Sequence, residues 1–328
     1  MTSNLIKFRK IIRNCNLVMT LKDMEASNDD WIKLRKNGIG GSDAAAILGM
    51  TPWKSPYQLW LEKTGEVEAE DISTKEAVHF GHVLEQVVAE EFCQRTGKKV
   101  KRCGVYRMKE YPFIQGSFDR LLVGEDAGLE CKTTNSFART NWDDGEIPPA
   151  YYVQCQHYMM VSGLPRWYIA CLVGGNHFVM HTIERDEEDI KALLQAEIDF
   201  WHKVENHIMP DVDGSASCKE ALSRKYPGGN KEAIVLPSDS LKLLNRLDEL
   251  KESEKSIKGQ IAEIQNKFCS MLGDYEIGTV GDDENARTVK WQTVAGRVTV
   301  DTKRLKKEQP DIFAKYSKQG KPTRRFSI

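Results

Sequence analysis

Residues 112–134 read PFIQGSFDRLLVGEDAGLECKTT. Side chains alternate along an extended strand. Across 112–123, Ile114, Gly116, Phe118, Arg120 and Leu122 therefore share one face, and Gln115, Ser117, Asp119 and Leu121 the other. Gly124-Glu125-Asp126 turns the chain, and Leu129 to Thr133 forms a short second strand. Glu130 and Lys132 are two residues apart on it, so they point the same way. The pattern Asp-x(10)-Glu-x-Lys is thus predicted to gather two carboxylates, Asp119 and Glu130, with the Lys132 ammonium. Carboxylates at close range repel, and a divalent cation relieves the repulsion. Oxygen donors select Mg²⁺ or Mn²⁺ over zinc. Lys132 would hold or deprotonate an attacking water and offset charge at phosphorus in the transition state. A hairpin with solvated charges on its outer face is written in the same letters.

Outward from this hairpin, helices alternate with strands. A first helix is predicted over 28–36, capped by Ser27 or Asn28. Gly38-Ile39-Gly40-Gly41 is a glycine-rich loop, and Ser42 caps a short alanine-rich helix ended by Gly49. A third helix, about 73–96, carries a stripe of Phe80, Leu84, Val87, Val88 and Phe92. Pro148-Pro149 opens a helix to about Val161, 166–173 and 177–184 form a hairpin around Gly174-Gly175-Asn176, and a long helix covers about 187–207. The order predicts an α/β fold, a mixed central β-sheet flanked by helices.

Three further groups are candidates. Glu85 lies beside the apolar stripe of its helix, where a carboxylate would supply another metal ligand; a surface glutamate is the plainer reading. Tyr151 and Gln154 share a helix face with Tyr158 and would hydrogen-bond a water or phosphate, or simply border the core. Ser42 at a helix start, with Arg35 seven residues earlier, makes an anion site; a plain cap and a surface arginine fit equally.

Composition sets limits. The 328 residues carry a net charge of −1, so any basic surface is local. Eight cysteines never approach within ten residues of each other, which leaves no C-x-x-C pair for zinc or redox chemistry and suits a reducing cytosol. No apolar stretch approaches the ~20 residues that span a bilayer. The basic start MTSNLIKFRKIIRNCNLVMT has no signal-peptide core and reads as a loose extension over 1–24, or as sequence ahead of a start at Met19 or Met24.

Trp31…Arg35…Gly40-Gly41-Ser42-Asp43, Gly81-x-x-x-Glu85, Gly116-Ser117-Phe118-Asp119, Leu129-Glu130-Cys131-Lys132-Thr133 and Tyr151-x-x-Gln154-x-Gln156 occur in this order. Together, over about 28–205, they resemble the YqaJ-type viral recombinases, relatives of bacteriophage lambda exonuclease in the PD-(D/E)XK nuclease superfamily. The resemblance implies a restriction-endonuclease-like core. It implies a metal on Asp119, Glu130 and the carbonyl of Cys131, with Glu85 serving a second ion. Lys132 is then the motif lysine, Gln154 the glutamine near the water, and Arg35, Ser42 and Ser117 the pocket for a 5′-terminal phosphate. The activity implied is digestion of one strand of linear double-stranded DNA from its 5′ end, with Mg²⁺ or Mn²⁺, in the cytoplasm of a bacterial host. The 3′ single strands left behind would pass to a single-strand annealing protein. Phe118 departs from the proline that names the superfamily.

The nuclease domain is predicted over 25–210, a linker over 211–235, and a helical, basic accessory region over 236–328. There Leu243, Leu247, Leu250, Glu254, Ile257, Ile261, Ile264, Phe268 and Met271 form a heptad seam with one charged miss. This long-helix extension makes a homo-oligomer expected and puts a lambda-type ring trimer in doubt. Residues 287–328 hold twelve Lys/Arg against three acids, a patch suited to phosphate or to solvent. Two other functions remain: an endonuclease cutting internally or at structured DNA, and a catalytically inactive DNA-binding module. Scattered cysteines argue against an iron–sulfur nuclease, and retention of Asp119, Glu130 and Lys132 against an inactive module.

Overall fold

The computed structural model describes residues 14–142, 145–282, 285–320 and 323–328. These divide into a unit running to Gly228 together with Arg324–Ile328, and a second over Gly229–Thr323. The first holds β1 (Cys15–Met19), α1 (Leu21–Ala26), α2 (Asn28–Lys36), α3 (Gly41–Ile47), α4 (Pro56–Thr64), α5 (Glu76–Thr96), β2 (Val100–Lys101), β3 (Val105–Met108), β4 (Gln115–Ser117), β5 (Arg120–Leu122), β6 (Ala127–Thr134), a 3-10 turn (Ser136–Asn141), α6 (Pro149–Ser162), β7 (Arg166–Val173), β8 (His177–Glu184), α7 (Glu187–Glu205) and α8 (Ala216–Lys225).

The central sheet runs β2-β5-β6-β7-β8, antiparallel throughout except for the parallel pair β6–β7. Parallel neighbours need a crossover, and α6 supplies it. Alternation then sorts the side chains. Trp167, Ile169, Cys171 and Val173 of β7 pack on the α6 side, while Tyr168 and Ala170 join Leu129 and Cys131 of β6 against Val88, Ala89 and Phe92 of α5. The sheet is therefore mixed and covered by helices on both faces, as expected. Its middle strands are buried on both sides, so Glu130 and Lys132 point into protein rather than water.

Several local expectations need correction. Residues 112–123 are not one strand: β4 belongs to a second sheet, β1-β3-β4, and the chain changes sheets at Phe118-Asp119. Phe118 is the pivot, its ring 5.5 Å from Tyr106, 5.2 Å from Tyr158 and 5.1 Å from Trp167. Gly40, not Ser42, is the N-cap of α3, and the Asp43 carboxylate accepts from its N–H at 3.1 Å. The stripe on α5 is buried at Val88 and Phe92 only; Phe80 and Val87 are exposed because the sheet meets the second half of the helix. Within the expected loose extension, β1 pairs antiparallel with β3 and buries Cys15, which needs a sheet edge far along the chain. Residues 1–13 lie outside the described residues. In the expected linker, α8 buries Cys218 and Ala221 beside Tyr57 and Trp60 of α4, and Ser217 Oγ accepts from Ser55 N at 2.8 Å.

The second unit contains α9 (Ser240–Leu272), the hairpin β9 (Ile277–Val280)–β10 (Arg287–Lys290), α10 (Thr302–Glu308) and α11 (Pro310–Tyr316). The expected long helix is present. Its seam residues Leu243, Leu250, Ile257, Ile261, Ile264 and Met271 are exposed, and Glu254 pairs with Lys258 one turn on, at 2.5 Å.

Where α3 crosses α6 the helices touch through a glycine. A Cβ built on Gly41 would stand 2.4 Å from Tyr158 Cε1. Gly41→Ala is expected to destabilise the protein by about 1–3 kcal/mol, the usual cost of overpacking. Urea denaturation measures it, and an unchanged midpoint would contradict the close approach.

Candidate active site

β6 carries the chemistry. Glu130 is 3% exposed, and its Oε1 accepts from Lys132 Nζ at 2.6 Å and from Gln154 Nε2 at 2.8 Å. Gln154 Nε2 also donates to the Tyr158 hydroxyl at 2.7 Å, and Lys132 Nζ stands 4.9 Å from the ring centre of Tyr151. Gln154 and Tyr151 of α6 thus meet Glu130 and Lys132 of β6. Asp119, at the sheet switch, reaches across so that its Oδ2 accepts from Cys131 N at 2.8 Å. Asp119, Glu130 and Lys132 are brought together as their spacing predicted, and Gln154 and Tyr151 meet them from α6.

The electrostatics follow from burial. Burial, the Glu130 carboxylate and Glu85 together push the Asp119 carboxyl well above the usual carboxylate range. Burial alone would lower Lys132, but Glu130 and Asp119 outweigh it and hold the ammonium above its ordinary value. An ammonium held up by these two carboxylates suits the charge-offsetting role.

The donor set fits a divalent ion. Glu130 Oε2 is buried with no hydrogen-bond partner, and such an atom costs about 1–3 kcal/mol unless something satisfies it. Glu197 Oε2 is also orphaned, but Glu197 and His157 are sealed at 0% exposure. The Glu130 oxygen has Asp119 nearby and Lys132 beside it, 20% exposed, as an opening to solvent. Asp119, Glu130 and the carbonyl of Cys131 are the oxygens available. Among the described residues, no group of three His, Cys, Asp or Glu side chains stands ready to hold a metal. Glu85 is instead engaged by Arg120 Nη1 at 2.5 Å.

A second cluster forms at α2 and α3. Arg35 Nη2 donates to Ser42 Oγ at 2.9 Å, and its guanidinium lies 5.0 Å from the Trp31 ring centre. The loop between them is pinned from below by Lys63 of α4, which donates to the carbonyls of Arg35 (2.7 Å) and Gly38 (2.6 Å) and to Asp43 Oδ2 (2.7 Å). Burial would raise the Asp43 carboxyl, but Lys63, Arg35 and Lys54 drive it below the usual range. Ile39 N donates to Phe113 O at 2.6 Å and Gln115 N to Ile39 O at 2.9 Å, tying this loop to the strand that ends in Ser117. Arg35 and Ser42 therefore come together as predicted, with Ser117 on the adjoining strand. Lys63 and Arg120 escaped sequence reasoning. Lys63 lies on a helix that no periodicity marked, and Arg120 follows Asp119 on a strand whose two faces are both buried.

A family profile for the YqaJ-like viral recombinase domain matches residues 30–165. Over 313 residues, 94% of this chain and 96% of the relative, the sequence is 42% identical to the uncharacterized protein YqaJ of Bacillus subtilis (strain 168). It is 29% identical over 121 residues to protein D345L of African swine fever virus, covering 35% of this chain and 31% of that one. The crystal structure of the Laribacter hongkongensis alkaline exonuclease LHK-Exo with dAMP is similar at a TM-score of 0.48 and 20% identity, over 60% of this chain and 97% of that chain. A phage-related exonuclease from Haemophilus somnus is similar at 0.38 and 15%, over 54% and 99%. Structural likenesses this remote carry no residue roles. No helix among the described residues is long and apolar enough to cross a membrane.

Asp43 has a depressed carboxyl, so its ion pair adds stability above the unfolded value of about 3.9 and loses it as pH falls through and below that value. Asp43→Asn is expected to cost about 3–5 kcal/mol at pH 7 by leaving Lys63 unpaired, and the deficit should narrow by about 1 kcal/mol at pH 3. Urea denaturation at both pH values checks it; a deficit that widened on acidification would contradict the pairing.

Proposed function

Since this chain belongs to the family of the YqaJ-like viral recombinase domain, we propose that it is a metal-dependent nuclease digesting linear duplex DNA from its 5′ end. One observation carries the reading: a buried Glu130 shares Oε1 between Lys132 and Gln154 and leaves Oε2 without a partner, beside Asp119. Asp119, Glu130 and the Cys131 carbonyl would hold Mg²⁺ or Mn²⁺, which when bound supplies Lewis-acid activation of the attacking water. Gln154 fixes the Glu130 carboxylate, with Tyr158 bracing the amide. Lys132, presented over Tyr151, places positive charge where it builds up on the phosphoryl oxygens. Arg35 and Ser42 bind the 5′-terminal phosphate, and Ser117 extends that pocket toward Asp119. The 3′ strands so produced call for a single-strand annealing protein as partner, and the chain self-associates.

Linear duplex labelled at the 5′ or the 3′ end, with a covalently closed circle as control, tests the reading. Expected is Mg²⁺-dependent loss of the 5′ label, survival of the 3′ strand and an uncut circle; cutting of the circle would favour an endonuclease. Asp119→Ala should abolish cleavage. Lys132→Ala should lose about 10²–10³-fold in rate, and Lys132→Arg should not restore it, because a planar guanidinium does not replace a point charge. Wild-type rates in Lys132→Ala would remove the lysine from the mechanism.

Arg35→Ala should shrink the preference for 5′-phosphorylated over 5′-hydroxyl ends by about tenfold or more, the worth of a charged hydrogen bond. Equal wild-type rates on both ends would contradict the pocket.

A further inference from the structure

Arg120 is a cation where cations are costly. Its side chain is 4% exposed, and a buried charge persists only when paired and hydrogen-bonded. Nη1 donates to Glu85 Oε1 at 2.5 Å and to the carbonyl of Asp119 at 2.6 Å, and Nη2 to Gln86 Oε1 at 2.9 Å. Strand register accounts for the geometry. Arg120 stands opposite Leu129 on the β5–β6 pair, hence on the α5 side of the sheet, whereas Glu130 and Lys132 project to the α6 side. The cluster has two poles: Lys132 answers Glu130 on one, and Arg120 answers Glu85 on the other. Asp119 lies between them, its carbonyl bonded to Arg120 and its carboxylate to Cys131 N.

We infer that Arg120 takes the place of a second cation. The chain without DNA holds one divalent ion, on Asp119, Glu130 and the Cys131 carbonyl, and Arg120 keeps Glu85 out of the ligand set. The inference rests on the metal-dependent reading above and departs from the two-ion arrangement that the family resemblance implies. A guanidinium cannot be deprotonated inside a protein, and its donors are fixed in one plane. An ion recruited to Glu85 Oε1 would have to compete with it for that oxygen, and losing the contact would leave its charge buried without an anion. Arg120 is thus a positioning residue: it touches no substrate and sets how many ions the carboxylates accept.

The test counts Mn²⁺ bound per chain in the absence of DNA, from the electron paramagnetic resonance signal of the free ion. Wild type should bind one. Glu85→Gln, at a side chain 28% exposed, should also bind one, because Glu85 is not a ligand. Arg120→Lys should bind one and Arg120→Gln two, the second being lost again in Arg120→Gln/Glu85→Gln. Two ions on wild type, none on Glu85→Gln, or one on folded Arg120→Gln would overturn the inference. Should Arg120→Gln fail to fold by circular dichroism, the wild-type and Glu85→Gln counts decide. No Mn²⁺ on wild type would overturn the metal-dependent reading itself, whereas two ions overturn only the role of Arg120.

Discussion

The site depends on an ion pair placed on a strand covered by helices on both faces and open to solvent only toward Lys132. β6 is covered by α5 on one side and by α6 on the other, so the period-2 alternation that normally separates core from solvent here separates two interiors. Glu130 and Lys132 are committed to the α6 side and must be satisfied there. They are satisfied by each other and by Gln154, and the arrangement leaves one carboxylate oxygen unmet. A buried group left unsatisfied in an otherwise paired cluster is a place where a ligand gains most.

The rest of the first unit serves to hold that strand and to bring a second cluster near it. The route between them is short. Gly41 lets α3 lie against Tyr158; Tyr158 bonds Gln154; and Gln154 bonds Glu130. Arg35 of α2 and Ser42 of α3 are steadied by Lys63 and Asp43. A terminal phosphate bound there and a phosphodiester at Glu130 would be held by one packed body rather than by independent loops. Rigid support of this kind is what phosphoryl chemistry needs, since positioning and charge supply most of its rate.

Much of the site was legible because its signals are local. Glu130 and Lys132 two apart on a strand and Tyr151 and Gln154 three apart on a helix each encode a shared face within a few residues. What was not legible depends on contacts far apart in sequence. The split of 112–123 into two strands arises because Phe118 seats among Tyr106, Tyr158 and Trp167, none of which is a sequence neighbour. The partner of Glu85 is Arg120, 35 residues on, which no local pattern announces. β1 becomes a strand only by pairing with β3, and α8 escapes the linker pattern because Cys218 finds a pocket against α4. Short helices such as α4 carry too few turns for a periodic stripe to stand out.

Glu130→Gln isolates the central claim, because it keeps the shape of the side chain and removes its charge. Single-turnover cleavage of a linear 5′-phosphorylated duplex with Mg²⁺, beside duplex affinity measured without metal, is the direct measurement. The account requires cleavage to disappear while affinity stays near the wild-type value. Cleavage at the wild-type rate would contradict it, since a neutral amide at residue 130 would then serve as well as the carboxylate on which the site is built.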